Sequence, residues 1–259
     1  MGDYVDRGYH NLELVCLLFS LKIQFPSRVY LLRGNHEDSQ INQVYGFYKE
    51  CMTRISGEDH FKEQVYRSVN QLFEWLPLGA VIDEKILCVH GGIGEHFTQI
   101  ARLEALQRPL KVSFNPETQH QKVLLDVLWS DPSHDPKILG YTHNTQRDPF
   151  KTGQFVYFGI DMLEKFVKAN GIQTVIRAHE CVMGGFLVWG DEKLVTVFSA
   201  TDYCGKHKNA GAIIYLTNNS SLMQFKVIYP SLQNQNWIPE GQIKKPTPPR
   251  WNVSPVKNY

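Results

Sequence analysis

The pattern of apolar and polar positions predicts three helices in this chain. They lie at residues 11–24, 61–76 and 160–169. The first segment is apolar on nearly every helical face until Pro26, which predicts a helix that is buried on several sides. The second is amphipathic and ends before Pro77. Asn170 and Gly171 follow the third helix and predict a left-handed cap at its C-terminus.

Short apolar runs bounded by turn-forming residues predict strands. They lie near residues 28–32, 79–82, 85–89, 174–176, 186–189, 194–198, 212–216 and 222–228. Gly190-Asp191 and Asn218-Asn219 are the expected turns within the last four of these strands. Helices and strands alternate first, and strands follow one another later. This order predicts an α/β layered domain with a mixed sheet.

Composition places the chain among ordinary globular proteins. It has 259 residues, of which 42% are hydrophobic, and 27 basic residues balance 26 acidic ones. A net charge of +1 predicts no binding to nucleic acid or to an anionic membrane, and no apolar run is long enough to span a bilayer. Five scattered cysteines indicate neither a disulfide framework nor a thiolate zinc site. We therefore expect a soluble protein of a reducing compartment, the cytoplasm or the nucleus.

The last part of the chain differs in composition from the rest. Proline is concentrated after about residue 233, and the run from Lys244 to Arg250 is unsuited to helix or sheet. Residues 233–259 are predicted to form a flexible Pro-rich tail behind a domain that covers residues 1–232. A polyproline-type recognition segment is the alternative interpretation of this tail.

Four polar clusters that contain glycine or alanine stand next to predicted strands. They cover residues 2–8, 33–37, 90–92 and 177–179. Loops at the carboxyl ends of strands converge on one crevice in open α/β sheets. Such a crevice would bring together the oxygen or nitrogen donors of Asp3, Asn35, His90 and His179. Each histidine alone would more often be structural, but the combined set suits Mn, Fe or Zn better than Mg or Ca.

Six motifs occur in order along the chain: GDYVDRG, LLRGNHE, HGGIG, LLDVLWSDP, IRAHECVMGGF and FSATDYCG. They resemble the successive motifs of the phosphoprotein phosphatase family of serine/threonine phosphatases, and the match covers about residues 2–230. Their details are most similar to the phosphatase domain of the kelch-repeat subgroup, although the chain contains no kelch repeat. The resemblance implies a metallophosphoesterase-type β-sandwich with mixed sheets flanked by helices.

The resemblance also implies a two-metal phosphomonoesterase that hydrolyses phosphoserine and phosphothreonine in proteins. The second metal, Mn, Fe or Zn, would be held by Asp3, Asn35, His90 and His179, and Asp3 would be shared with the first. His36 would be the general acid, Asp6 would orient it, and Arg7 would bind two phosphate oxygens. Phosphoproteins are the implied substrates, and regulatory subunits are implied partners.

Three further positions are implied substrate contacts. Tyr203 and Asp131 correspond to residues that line the family's cleft. The family also places an arginine before a Gly that precedes a Phe-Gly pair, where it binds phosphate opposite Arg7. Here Lys151 or Thr152 stands in that register, depending on the gap chosen. A lysine keeps the charge of an arginine but loses its two-pronged hydrogen bonding.

The chain departs from the family pattern at its beginning. The family's first motif, Gly-Asp-x-His-Gly, supplies ligands to the first metal and is absent from these 259 residues. Only the second metal site is therefore complete in the sequence. Either the chain is a fragment that lacks the N-terminal part of the domain, or it folds in a reduced form.

Two other functions are compatible with parts of this pattern. A catalytically impaired remnant would bind a phosphoprotein or a regulatory subunit without hydrolysing it, and the missing first motif favours this hypothesis. A metallophosphoesterase acting on dinucleoside polyphosphates would share the first two motifs. It would not be expected to carry the segments IRAHECVM and FSATDYCG.

Overall fold

The computed structural model describes residues 1–148, 152–217 and 222–230, together with residues 253–255. Its helices are α1 (Asn11–Gln24), α2 (Ser39–Tyr45), α3 (Phe47–Arg54), α4 (Asp59–Phe73), α5 (Ala101–Glu104), α6 (Gln119–Trp129) and α7 (Ile160–Asn170). Its strands are β1 (Gly79–Ile82), β2 (Ile86–Val89), β3 (Asp131–Pro132), β4 (Tyr141–His143), β5 (Val156–Phe158), β6 (Thr174–Arg177), β7 (Phe186–Trp189), β8 (Leu194–Val197), β9 (Gly211–Thr217), β10 (Leu222–Ile228) and β11 (Val253–Pro255). A short 3₁₀ helix covers Tyr203–Gly205.

The main sheet has five strands in the order β1-β2-β6-β8-β7. Its three central strands, β2, β6 and β8, are parallel, and the edge strands β1 and β7 run antiparallel to their neighbours. A second sheet consists of the antiparallel pair β9 and β10 with β11 alongside β10. A third, smaller sheet has the order β3-β5-β4. These mixed sheets confirm the predicted α/β class.

Alternation along β2 explains how the layers stack. Ile86 and Cys88 face a core shared with the second sheet, whereas Leu87 and Val89 face the opposite side, against the helices. The core between the sheets also contains Ile176, Val195, Met223 and Phe225. The helix-side core also contains Val175, Leu128 of α6 and Leu163 of α7. A strand buried on both faces has no polar face, which is why residues 86–89 are apolar throughout.

Several predicted elements are confirmed with small shifts at their ends. The helix predicted at 61–76 is α4, and the helix predicted at 160–169 is α7, which ends at Gly171 in the left-handed conformation with φ 66°. The turn between β7 and β8 contains Gly190 and Asp191, with φ of 63° and 50°. The strands predicted after residue 78 all form.

The prediction that α1 is buried on several sides is wrong. The helix forms over the predicted residues, and Val15 on its inner face is 5% exposed. On the outer side, however, Leu17 is 55% exposed and Ile23 is 80% exposed. Apolar periodicity shows which faces a helix can bury, but burial also requires a neighbouring element on each face. Within the part of the chain that the structure describes, no element covers the outer side of α1.

The strand predicted at residues 28–32 does not form. Leu31 and Leu32 are buried at 7% and 5% exposure, as an apolar run predicts. Nevertheless, their backbone joins none of the sheets formed by the described residues. Beyond them, the amide of Arg33 donates to the carbonyl of Pro77 at 2.8 Å. Burial of side chains alone does not make a strand, because a ladder also needs a partner strand in register.

Two predictions fall largely on residues that the structure does not describe. The turn at Asn218-Asn219 lies outside the described residues, and so does the tail predicted at 233–259, apart from 253–255. Those three residues pair in parallel with β10, with Phe225 opposite Val253. Among the helices of the described residues, none is both long and apolar enough to cross a lipid bilayer.

Candidate active site

Four loops meet at the carboxyl ends of β2 and β6. His90 follows β2 and His179 follows β6, and these strands are parallel neighbours. The Nε2 atom of His90 lies 3.0 Å from Oδ1 of Asn35, 3.2 Å from Nδ1 of His179 and 3.3 Å from Oδ1 of Asp3. The structure therefore brings together the four side chains that the sequence predicts as ligands. The two histidines meet because they follow adjacent parallel strands.

The protonation of these groups leaves electron pairs facing one another. His90 Nδ1 lies 2.8 Å from the carbonyl oxygen of Met1, which can only accept, so Nδ1 carries the proton and Nε2 carries a lone pair. Burial lowers the pKa of both His90 and His179, which keeps both rings neutral. Nε2 of His179 is buried and has no hydrogen-bond partner among the described residues. One carboxylate, one amide oxygen and two imidazoles fit a divalent cation of borderline softness.

Glu37 holds the loops that carry Asp3 and Asn35. Its carboxylate is fully buried and accepts hydrogen bonds from the amides of Asp3 at 2.7 Å, Tyr4 at 2.6 Å and Gly34 at 2.7 Å. Burial and the charge of Asp3 raise the pKa of Glu37 to about 7. A side chain at Gly34 would overlap the Asp3 carboxylate, so only glycine allows this approach. Sequence reasoning did not assign Glu37 a role, although it stands in the LLRGNHE motif.

His36 and Asp6 form a tightly bonded pair beside the ligand cluster. His36 Nδ1 lies 2.6 Å from Oδ2 of Asp6, and Oδ1 of Asp6 accepts from the amide of Phe47 at 2.9 Å. Burial by itself would lower the pKa of His36. The hydrogen bond to Asp6 and the charge of Asp3 outweigh that effect, so the pKa is raised above its ordinary value. This arrangement favours a protonated imidazole, which a general acid requires.

Arg7 projects from the same loop as Asp6 and stacks on an aromatic ring. Its guanidinium carbon lies 4.2 Å from the centre of the Tyr45 ring, and its amide donates to the Tyr45 carbonyl at 3.3 Å. The same ring lies 5.5 Å from the His36 ring. Asp3, Asp6 and Arg7 have φ values of 58°, 78° and 62°. Left-handed conformations cost non-glycine residues about 1–3 kcal/mol each, and such strain concentrates at functional sites.

Asp131 lies beneath the cluster and not on an open cleft wall. Its side chain is 3% exposed, and its two oxygens accept from Arg177 Nη2 at 2.7 Å and from Arg147 Nε at 2.8 Å. Asn144 Nδ2 provides a further bond at 2.9 Å. Burial would raise the pKa of Asp131, but the two arginines lower it below its ordinary value. Both oxygens of Asp131 are thus engaged by side chains of the protein, and its direct contact with a substrate stays a prediction.

Arg147 is a site residue that sequence reasoning missed. Besides its bond to Asp131, its Nη2 donates to the carbonyl of His179 at 3.1 Å, and its side chain is 30% exposed. It therefore brings a partly accessible guanidinium to the edge of the ligand cluster. Lys151, predicted to supply a cation here, lies outside the described residues. Thr152, the other residue in that register, directs its amide and hydroxyl to Asp148 at 2.9 and 3.2 Å.

Tyr203, a predicted substrate contact, lies on the 3₁₀ helix that follows β8. Its amide donates to Oδ1 of the buried Asn209 at 2.8 Å, and its ring packs edge-on against Phe198 at 5.1 Å. Burial raises the pKa of Tyr203 to about 12, and the charges of Arg7 and Asp3 also act on it. Its phenol therefore remains protonated at neutral pH, and its contact with a bound ligand stays a prediction.

Three similarities to known proteins accompany this geometry. Residues 1–183 match a family described as calcineurin-like phosphoesterase. The chain is 41% identical over 247 residues to the serine/threonine-protein phosphatase BSL2 of Arabidopsis thaliana, covering 94% of this chain and 23% of that protein. The chain thus spans about a quarter of the length of this relative. A solved protein serine/threonine phosphatase from Saccharomyces cerevisiae, with similarity to human phosphatase PP5, has a TM-score of 0.74 at 27% identity, covering 90% of this chain and 70% of that one.

Proposed function

The chain belongs to the calcineurin-like phosphoesterase family, and we propose that it is a protein serine/threonine phosphatase that hydrolyses phosphoserine and phosphothreonine monoesters. One observation carries the proposal. A cluster of metal-type ligands around His90 stands beside a bonded acid pair, His36 and Asp6, and beside the exposed guanidinium of Arg7. The similarity to two proteins named as serine/threonine phosphatases supports the same reaction.

Membership in this family implies divalent metal ions. We propose Mn, Fe or Zn, with one ion held by Asp3, Asn35, His90 and His179, because that donor set is complete. Such ions supply positive charge that lowers the pKa of a ligated water and stabilises a transferring phosphoryl group. By the resemblance a second ion would share Asp3.

The chain's own residues provide the remaining chemistry. His36 would protonate the departing serine or threonine oxygen from Nε2, because its Nδ1 is engaged by Asp6. Asp6 would keep the ring oriented and balance its charge. Arg7 would bind phosphate oxygens from one side, and Arg147 is the cation we propose for the other side. Tyr203 would line the same pocket.

A second candidate is a protein that binds phosphorylated partners without hydrolysing them. It is favoured by the exposed guanidinium of Arg7 and the partly exposed one of Arg147, which would bind a phosphate group whether or not it is hydrolysed. A dinucleoside-polyphosphate hydrolase has less support, because the segments IRAHECVM and FSATDYCG and the relatives' names point to protein phosphatases. We propose phosphoproteins as substrates, regulatory subunits as further partners, and the cytoplasm or nucleus as the location.

One experiment separates these functions. The Mn²⁺-loaded chain is incubated with a phosphoserine peptide and with a dinucleoside polyphosphate, and peptide binding is measured in parallel by fluorescence anisotropy. Release of phosphate from the peptide, abolished in Asp3→Ala, is the expected result. The second candidate would be favoured if the phosphopeptide bound without release of phosphate and if Arg7→Ala weakened that binding. Cleavage of the dinucleoside polyphosphate alone would contradict both.

A further inference from the structure

The start of α1 is capped by a residue from another helix. The residue that precedes α1, His10, makes no side-chain cap hydrogen bond. Instead Glu50 of α3 accepts from the amide of Asn11 at 3.2 Å and from the amide of Leu12 at 3.1 Å. The first amides of a helix have no partner within the helix, and a carboxylate there is favoured by the helix dipole. Glu50 is 8% exposed, so the contact is largely buried.

The same carboxylate also holds a side chain that reaches the acid pair. Asn11 Nδ2 donates to Glu50 and, at 3.1 Å, to the carbonyl of Gly8. Its Oδ1 accepts from the amide of Asp6 at 2.7 Å. Asn11 is 3% exposed and is fixed on all sides by these bonds. Glu50 is therefore linked to Asp6 through a single side chain.

Helix α3 restrains Asp6 from two directions. Through Glu50 and Asn11 it fixes the Asp6 backbone, and through the amide of Phe47, its first residue, it fixes the Asp6 carboxylate at 2.9 Å. Asp6 has φ 78°, a conformation that non-glycine residues keep only when their surroundings impose it. On the outer side of Glu50, Arg54 donates to the Glu50 carboxylate at 2.7 Å and keeps that carboxylate charged.

We propose that Glu50 is a positioning residue for the Asp6–His36 pair and that Asn11 transmits its effect. The inference rests on the proposed function for the chemical role of that pair, but the placement itself can be tested without turnover. If the link were lost, Asp6 could relax from its strained backbone, and its carboxylate would move away from His36. Misplacement of a catalytic group by about 1 Å can lower a rate about 100-fold.

Asn11→Ala separates positioning from helix capping. The variant keeps the backbone amides of residues 11 and 12, so Glu50 still caps α1, but it removes the link to Asp6. Glu50→Gln weakens both the capping of α1 and the hydrogen bond from Asn11 Nδ2. Glu13→Gln is the matched control, because Glu13 binds Arg54 in the same charged group but does not contact Asn11 or Asp6.

The primary readout is the low-field NMR resonance of the His36 Nδ1 proton in protein labelled with ¹⁵N-histidine. It is assigned by its absence in His36→Asn. We expect the resonance to be lost or shifted in Asn11→Ala and Glu50→Gln, as in Asp6→Asn, and to be unchanged in Glu13→Gln. An unchanged resonance in folded Asn11→Ala would overturn the proposal and leave Glu50 as a helix cap only. If Glu50→Gln fails to fold, Asn11→Ala decides alone.

Turnover gives an independent second readout. In Asn11→Ala the rate on a phosphoserine peptide should fall at least about tenfold more than the rate on p-nitrophenyl phosphate, because only the serine oxygen needs a proton to depart. Equal losses on the two substrates would contradict positioning of the acid pair. If the unmodified chain hydrolyses neither substrate, the proposed function fails, while the NMR comparison still tests the placement of Asp6.

Discussion

Nε2 of His90 lies 3.2 Å from Nδ1 of His179, and burial lowers the pKa of both rings. Two neutral imidazoles can share at most one proton between these atoms. Oδ1 of Asp3, which only accepts, lies 3.3 Å from the same nitrogen of His90. Electron-rich atoms from three loops thus face one small volume, and a bound cation is the simplest way to stabilise them.

Metal binding is therefore expected to depend on this histidine pair. Elemental analysis of the purified chain should give close to one tightly held Mn, Fe or Zn ion per molecule. The double variant His90→Ala/His179→Ala should lose that ion, whereas His60→Ala/His120→Ala, which alters two exposed histidines, should keep it. At a free-metal concentration of 100 times Kd, binding should add about 2.7 kcal/mol to the free energy of unfolding. Unchanged metal content in the first variant would refute the assignment.

Replacement of His36 should affect substrates according to their leaving group. For the Mn²⁺-loaded chain, His36→Asn should lower kcat/KM on a phosphoserine peptide by about 10²–10⁴-fold, the usual contribution of a general acid. The loss on p-nitrophenyl phosphate should be smaller, because nitrophenolate departs without a proton. Asp6→Asn should give the same pattern more weakly. Loss of metal from His36→Asn would instead mark His36 as a ligand or a structural residue.

Much of the fold could be predicted because its signals are local. The apolar run at 86–89 and the cap at Gly171 each reflect a constraint on neighbouring residues. The meeting of His90 and His179 could be predicted because each follows the end of a strand and the two strands lie side by side. The exposure of Leu17 and the missing ladder at 28–32 depend instead on which elements pack nearby, and no local pattern encodes that.

The supporting residues of the site were harder to predict for a similar reason. Glu50 lies 39 residues from Asn11 along the chain, and only the packing of α3 against α1 brings them together. Arg147 reaches the site because Asn144 and Asp131 hold the turn before it. Both contacts are long-range, and a charged residue in a polar segment has many possible partners. The ligand motifs could be recognised, but the groups that hold them in place could not.

Arg177 should be important for stability, because it is fully buried and compensates a buried charge. Its guanidinium bonds Asp131 Oδ1 at 2.7 Å and the Ser130 carbonyl at 3.2 Å. Removing one partner of a buried ion pair typically costs about 3–5 kcal/mol. We expect Arg177→Met to lower the free energy of unfolding by about that amount in urea titrations. Arg147→Met should cost less, since its side chain is 30% exposed and water can replace it. Equal losses would show that burial does not set the cost.

Asp126 should make stability depend on pH in a direction opposite to that of a carboxylate held in an ion pair. It lies on α6 and is 3% exposed, and its Oδ2 accepts from the amides of His96 at 2.6 Å and Phe97 at 2.9 Å. Burial nevertheless raises its pKa to about 7. A carboxyl whose folded pKa exceeds its unfolded pKa of about 3.8 binds its proton more tightly in the folded state. Its contribution to stability is therefore complete below pH 4 and is lost as the pH rises through 7.

Between pH 4 and pH 7 the stabilisation lost from Asp126 is at most about 4 kcal/mol, from roughly three pKa units at 1.36 kcal/mol each. The variant Asp126→Asn cannot ionise at this position. Between pH 5 and pH 8 its unfolding free energy should therefore increase relative to that of the unmodified chain. Urea titrations at the two pH values measure this shift, and Asp135→Asn, at an exposed position, should show none. Absence of any shift between pH 5 and pH 8 would mean that the two amide hydrogen bonds outweigh burial. Asp126 would then be ionised throughout, and its carboxylate would hold the loop after His90 as a fixed negative charge.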